Sequence, residues 1–88
     1  MNKTEQMRTM LKAAFSPLRL EIRDESAKHA GHAGAQPGGE THFRIEIVSE
    51  KFGGLPRLAR HRLVNDSLQE LFREGLHALE IHAVSPAE

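Results

Sequence analysis

Residues 42–47, HFRIEI, alternate strictly between polar and apolar side chains. Successive side chains of a strand point to opposite faces of a sheet, so Phe43, Ile45 and Ile47 would share one face. The polar residues that alternate with them, His42, Arg44 and Glu46, would share the face toward water. The alternation therefore predicts a strand with one buried face, around which the remaining segments can be arranged.

Two helices are predicted from apolar residues at helical spacing. The first ends before Pro17, because the residue that precedes a proline is pushed out of the helical region. The second begins near Pro56 and ends at Gly75, because glycine readily adopts the left-handed conformation that terminates helices. The apolar positions are Met7, Met10, Leu11 and Ala14 in the first helix and Val64, Leu68, Leu71 and Phe72 in the second.

Two more strands complete the predicted fold, at residues 18–23 and 76–84. Their apolar faces carry Leu18, Leu20 and Ile22 in one and His77, Leu79, Ile81 and Ala83 in the other, with His82 on the surface. The order is αββαβ, which predicts one α+β domain over residues 1–88. The first two strands would pair antiparallel, and a right-handed crossover would make the third parallel to the second. Both helices would cover one face of this three-stranded mixed sheet.

The charge balance argues against a protein that grips nucleic acid through phosphates. Twelve basic residues balance twelve acidic ones, so the formal net charge is zero, whereas such proteins usually carry a basic excess. No apolar run approaches the roughly 20 residues that span a bilayer. We therefore predict a soluble, cytoplasmic protein that does not bind membranes.

The histidines are the candidate metal ligands, because the chain has six of them and no cysteine. His29 and His32 lie in a predicted loop over about residues 24–40, and His77 begins the last strand. Imidazole binds zinc, copper and iron, but a thiolate would have to come from another molecule. A solvated loop would also explain His29 and His32, and a half-buried histidine bonded to a backbone carbonyl would explain His77.

A second candidate site is the basic run Arg57, Arg60, His61 and Arg62 at the start of the second helix. Arginine suits phosphate, and the preceding turn makes this stretch similar to a helix-turn-helix element. The alternative is a solvated helix face, balanced by acidic residues farther along. No arrangement of residues specifies a catalytic site, so we predict that the protein is not an enzyme.

Six short blocks resemble the BolA family, in unbroken order between residues 11 and 86. They are DES at 24–26, THF at 41–43, VS at 48–49, F-x-G at 52–54, RHR-x-VN at 60–65 and HAL at 77–79. The resemblance implies an αββαβ fold similar to class II KH domains.

The same resemblance implies a function. BolA-like proteins partner monothiol glutaredoxins and share a [2Fe–2S] cluster with them, in iron–sulfur trafficking and iron regulation. The glutaredoxin and its glutathione supply the thiolates, so no cofactor is expected in the isolated chain. The free chain is expected to be a monomer or a weak homodimer. The family's ligand near the C-terminus falls on His77. Its loop ligand, present in members that carry a histidine there, falls on His29 when counted from residues 24–26, and His32 is the alternative because this loop is longer than in some members. Some members are described as DNA-binding transcriptional regulators, which is the alternative function for Arg57, Arg60, His61 and Arg62.

Overall fold

The computed structural model describes residues 2–25, 42–76 and 78–87. Its helices are α1 (Lys3–Phe15), α2 (Arg57–Ser67) and α3 (Gln69–Arg73), its strands are β1 (Arg19–Asp24), β2 (His42–Val48) and β3 (Ala78–Val84), and a 3₁₀ helix spans Glu50–Phe52. The predicted α+β order is confirmed, except that the second helical stretch is divided in two.

The three strands form one mixed sheet in the order β1-β2-β3. β1 pairs antiparallel with β2, so that Ile22 lies opposite Ile45. β3 pairs parallel with β2, so that Ile81 lies on the other side of Ile45. Both predicted pairings are confirmed, and the alternating stretch around Ile45 is the central strand.

The helices cover one face of this sheet and enclose the core. Phe43, Ile45 and Ile47 are at most 2% exposed, as their alternation predicts. The buried apolar residues that surround them are Met7, Leu11, Phe15, Phe52, Val64, Leu68, Leu71, Leu76, Ile81 and Ala83. The opposite face carries charged and polar residues of all three strands, and no helix among the described residues covers it.

The first strand differs from its prediction at both ends. Leu18 was expected on the apolar face, but its side chain is 66% exposed and it precedes the strand. Its backbone N–H still donates to the Val48 carbonyl. Leu18 therefore lies at the start of an edge strand, where none of the described residues covers its side chain. Asp24 was expected in the loop but ends β1, and the Glu25 N–H extends the pairing by donating to the His42 carbonyl.

The second helical stretch breaks at Leu68, where φ is −110° and ψ is 12°. The Ser67 hydroxyl donates to the Val64 carbonyl over 2.7 Å, and the Leu68 N–H turns to the Asn65 carbonyl. Hydroxyl bonds of this kind compete with the helical ladder and bend helices. Val64, Leu68 and Leu71 are fully buried nevertheless, because the bend keeps all three toward the sheet.

The end of α3 is a Schellman motif, and Gly75 terminates the helix as predicted. Gly75 has φ of 111°, its N–H donates to the Phe72 carbonyl, and the Leu76 N–H donates to the Leu71 carbonyl over 2.9 Å. Leu76 is only 4% exposed. The prediction that the last strand starts at Leu76 is wrong for this reason, because Leu76 belongs to the helix end and the described strand starts at Ala78.

Ser49 joins several elements where β2 ends. Its hydroxyl donates to the Phe15 carbonyl over 2.7 Å and accepts from the Lys51 N–H, while its own N–H donates to the Val84 carbonyl. The side chain is completely buried. Ser49 therefore fastens the end of α1 and the end of β3 to the central strand.

Arg60 fastens α2 to the outer strand. Its Nε donates to the Leu55 carbonyl over 2.9 Å, and a terminal nitrogen donates to the Ala83 carbonyl over 3.1 Å. The Val84 carbonyl faces β2, where it accepts from Ser49. Backbone groups of successive strand residues point to opposite sides, so the Ala83 carbonyl faces the outer edge of β3. Arg60 therefore satisfies a carbonyl that the sheet leaves unpaired.

We predict that Ser49→Ala lowers the free energy of unfolding by about 1–3 kcal/mol, because it leaves the buried Phe15 carbonyl and Lys51 N–H without their partner. Urea denaturation monitored by circular dichroism measures the change. Ser67→Ala is the matched control, since it also removes a 2.7 Å hydroxyl–carbonyl bond, but within one half-buried helix. Its expected loss is about 0.5 kcal/mol or less. Equal losses in the two variants would contradict the assigned role of Ser49.

We predict that Arg60→Met lowers the free energy of unfolding by about 2 kcal/mol, because two carbonyls lose a charged donor. Arg62→Met serves as the control, since Arg62 lies on the same helix and is exposed. Its effect should stay within about 0.5 kcal/mol in the same denaturation experiment. The assignment fails if Arg60→Met is as mild as its control.

Candidate functional site

One end of the sheet, the loop end, is formed by Glu25, His42 and Ala78. His42 is the register partner of Ala78, and the Glu25 N–H donates to the His42 carbonyl. The predicted ligands His29, His32 and His77 all lie outside the described residues. The residues to which they are attached are described, because the segment 26–41 is bonded to Glu25 and His42, and residue 77 is bonded to Ala78. All the predicted ligands are therefore tethered to the same end of the sheet.

Chain length allows either loop histidine to reach β3. Neighbouring strands lie about 4.8 Å apart, so β1 and β3 are separated by about 10 Å across the sheet. His29 follows Glu25 by four residues, a span of up to about 14 Å, and His32 follows by seven, up to about 25 Å. Both exceed the distance to be crossed, so length does not choose between them.

A small pocket of about 220 Å³ opens at the loop end. Its lining residues are Glu25, His42, Phe43, Ala78, Leu79 and Glu80. His42 was assigned to the surface from its place opposite the core residues, and its side chain is on that polar face but half-buried. His42 is part of the loop end because it is the first residue of β2 and the register partner of Ala78, which follows His77. Its position in the strand register is the signal by which sequence reasoning could have found it.

The donor chemistry of the chain fits only part of a metal centre. The chain has no cysteine, and the described residues contain no group of three or more histidine, aspartate or glutamate side chains placed to hold a metal ion. Imidazoles tethered to the loop end can supply nitrogen ligands, as histidine does in Rieske-type clusters. Sulfur ligands would have to come from another molecule.

The opposite end of the sheet carries a cleft of about 570 Å³, the basic cleft. Its lining residues are Leu55, Arg57, Arg60, His61, Ile81, His82, Ala83 and Val84. Three of the four residues predicted to contact nucleic acid therefore line one cavity. Arg62 is exposed and does not line it, and Arg60 is occupied by the Leu55 and Ala83 carbonyls.

The uncovered sheet face holds pairs of opposite charges. Arg23 donates to Glu21 over 2.7 Å, and this hydrogen bond lowers the pKa of the Glu21 carboxyl and raises that of Arg23. Arg44 lies within 4.0 Å of Glu80, and the partly exposed His82 was assigned to this face correctly. Such solvated pairs contribute little to stability. The face, as far as the described residues form it, is therefore a polar surface of paired charges.

Within residues 2–25, 42–76 and 78–87, no helix is both long enough and apolar enough to cross a bilayer.

Comparison with known proteins gives consistent matches. The family model for BolA-like protein matches residues 11–88. Human BolA-like protein 1 is 49% identical over 82 residues, covering 93% of this chain and 57% of that protein. SufE-like protein 1 of Arabidopsis thaliana is 46% identical over 86 residues, and the match covers 93% of this chain but 23% of that protein. This chain thus spans about half or less of these two relatives.

A solved structure extends the agreement to three dimensions. BolA1 from Arabidopsis thaliana superposes with a TM-score of 0.88 at 40% sequence identity, and the match covers all of this chain and 96% of that one. The family model and the superposition agree over nearly the whole chain. This chain therefore belongs to the BolA-like protein family.

Proposed function

We propose that this protein is a non-enzymatic adaptor of iron–sulfur trafficking and iron regulation. In this proposal it binds a monothiol glutaredoxin in the cytoplasm and shares a [2Fe–2S] cluster with it as cargo. His77 and one of His29 and His32 supply imidazole nitrogens, and the glutaredoxin and its glutathione supply thiolates. The BolA-like family membership supports this role, and the occurrence of a BolA domain in an Arabidopsis SufE-like protein fits it.

The observation that carries the proposal is the strand register at the loop end. His42 lies beside Ala78, and one strand spacing is about 4.8 Å. The segment with His29 and His32 joins the sheet at His42, and His77 joins it at Ala78. Two stretches far apart in sequence are thus tethered to adjacent strand starts, as a site built from both requires.

The absence of cysteine suits a transfer role. A thiolate holds iron strongly, whereas a neutral imidazole competes with protons for the metal, so histidine ligation favours exchange over storage. The chain would orient its imidazoles from the edge of the sheet, and the cluster itself would provide the electron-accepting iron centre.

DNA binding gains no support from the geometry. Arg60 already donates to two backbone carbonyls, and Arg62 lies outside the basic cleft. The chain is neutral overall, so no general attraction to phosphates compensates. Contact between DNA and the residues Arg57, Arg60, His61 and Arg62 stays a prediction.

We predict that the heterodimer with His77→Ala loses its cluster at least about ten times faster than the heterodimer with the unchanged protein, because the substitution takes away an iron ligand. The two proteins are combined with iron, sulfide and glutathione without oxygen. Visible absorption and circular dichroism then follow the loss of the cluster to a chelator.

His82→Ala is the control for this experiment. His82 lies on β3, five residues beyond His77, and its ring is on the uncovered face beside Glu80. The spectrum and its decay should match those of the unchanged protein. If His77→Ala decays as slowly as His82→Ala, His77 is not a ligand.

A second prediction concerns the loop. Only one of His29→Ala and His32→Ala should accelerate cluster loss, because one nitrogen from the loop completes the proposed site. The two single variants and the double variant are measured under the same conditions. A double variant that behaves as the unchanged protein would remove the loop from the ligand set.

A further inference from the structure

The outer edge of β3 carries backbone groups that no other described strand pairs with. Among the described residues, β3 is an edge strand and pairs only with β2. Since the Val84 carbonyl faces β2, the even-numbered residues of β3 face inward and Leu79, Ile81 and Ala83 face outward. The topology provides the outward N–H and C=O groups of Leu79 and Ile81 with no strand neighbour.

The basic cleft runs along this edge. Four consecutive residues of β3, 81–84, line it. A cavity above one face of a sheet would touch alternate residues, because side chains alternate between the faces. Contact with four in succession places the cleft at the strand's side, between β3 and the start of α2. Its volume of about 570 Å³ lies in the range of ligand pockets.

The charges around the cleft have one sign. Its basic lining residues are Arg57, Arg60, His61 and His82, and no described aspartate or glutamate lines it. Arg57 and His61 are four residues apart on α2, so they face the same side of the helix. Arg60 donates to the Ala83 carbonyl and so occupies the outer edge of β3 near its C-terminal end. A ligand lying along Ile81 would thus meet backbone groups on one side and cationic side chains on the other.

We infer that the basic cleft binds an extended acidic peptide segment of a partner protein as a fourth strand on β3. The peptide's backbone pairs with the outward groups of Leu79 and Ile81, as in other cases of strand addition to a sheet edge. Its carboxylates lie against Arg57 and His61. The ladder ends at Ala83, whose carbonyl Arg60 already occupies.

A peptide suits this cleft better than a single-stranded nucleic acid does. Proteins that hold single strands stack the bases chiefly on large aromatic side chains, and among the described residues no phenylalanine, tyrosine or tryptophan lines the cleft. Unpaired backbone groups at a strand edge instead match another peptide backbone.

The cleft and the loop end are at opposite ends of β3. Six residue steps separate Ala78 from Val84, which is about 20 Å along a strand. The proposed peptide also pairs with Leu79, which lines the pocket at the loop end, so peptide binding is measured on the protein without iron or glutaredoxin. With no metal in the assay, its outcome does not depend on the histidine ligands proposed above.

The probe is a fluorescent octapeptide of alternating valine and aspartate, and the comparison peptide has lysine in place of each aspartate. Fluorescence anisotropy should show binding of the acidic peptide only, weakening as salt rises. Arg57→Glu should raise its Kd roughly fivefold, as expected for an exposed charge contact. Arg62→Glu, outside the cleft on the same helix, should change the Kd less than twofold, and circular dichroism verifies that both variants fold.

Amide hydrogen exchange tests the strand addition itself. Saturating peptide should slow exchange at the outward N–H groups of Leu79 and Ile81. Glu80 and His82 are internal controls, because their N–H groups face β2 and are already bonded. This alternation distinguishes a paired strand from a peptide that merely adheres to the arginines.

Three results would overturn the inference. One is equal binding of the acidic and the lysine peptide, and another is unchanged exchange at Leu79 and Ile81 when the acidic peptide is bound. The third is displacement of the acidic peptide by a single-stranded oligonucleotide that binds more tightly and loses affinity with salt in proportion to its phosphate contacts. That result would make the cleft a nucleic-acid groove instead.

Discussion

Ser49 holds four parts of the protein together where the central strand ends. Its hydroxyl binds the last carbonyl of α1, its N–H binds the Val84 carbonyl, and its carbonyl accepts from the Phe52 N–H. A residue this deeply buried must satisfy its polar groups within the protein. The first helix, the outer strand and the crossover to α2 are therefore all positioned by one residue.

The two ends of the sheet differ because of this junction. At one end, the hydrogen bonds of Ser49 and Arg60 connect α1, α2 and β3. At the other, β1 and β2 are joined by the segment 26–41, and β3 begins beside His42. The core lies between them. The hydrogen bonds that connect the helices to the sheet are thus found at the end of the sheet opposite to the one where the proposed ligands are attached.

The strands and helices were predictable because their signals are local. The alternation around Ile45 predicts the central strand, and Gly75 predicts the end of the second helical stretch. The break at Leu68 was missed, because the bond from Ser67 to the Val64 carbonyl leaves the apolar spacing unchanged. The roles of Arg60 were also missed, since a basic residue at a helix start looks identical whether it faces water or a distant carbonyl. The half-burial of His42 depends on register, which alternation alone does not provide.

The end of α3 has a consequence for any ligand attached after it. Gly75 and Leu76 are held by two backbone hydrogen bonds, and Leu76 is packed into the core. The entropy of ordering this backbone is lost when the protein folds, so it is not lost again when a ligand binds. The proposed ligand His77 follows Leu76 and would therefore be attached to a preorganised backbone, which lowers the entropic cost of binding.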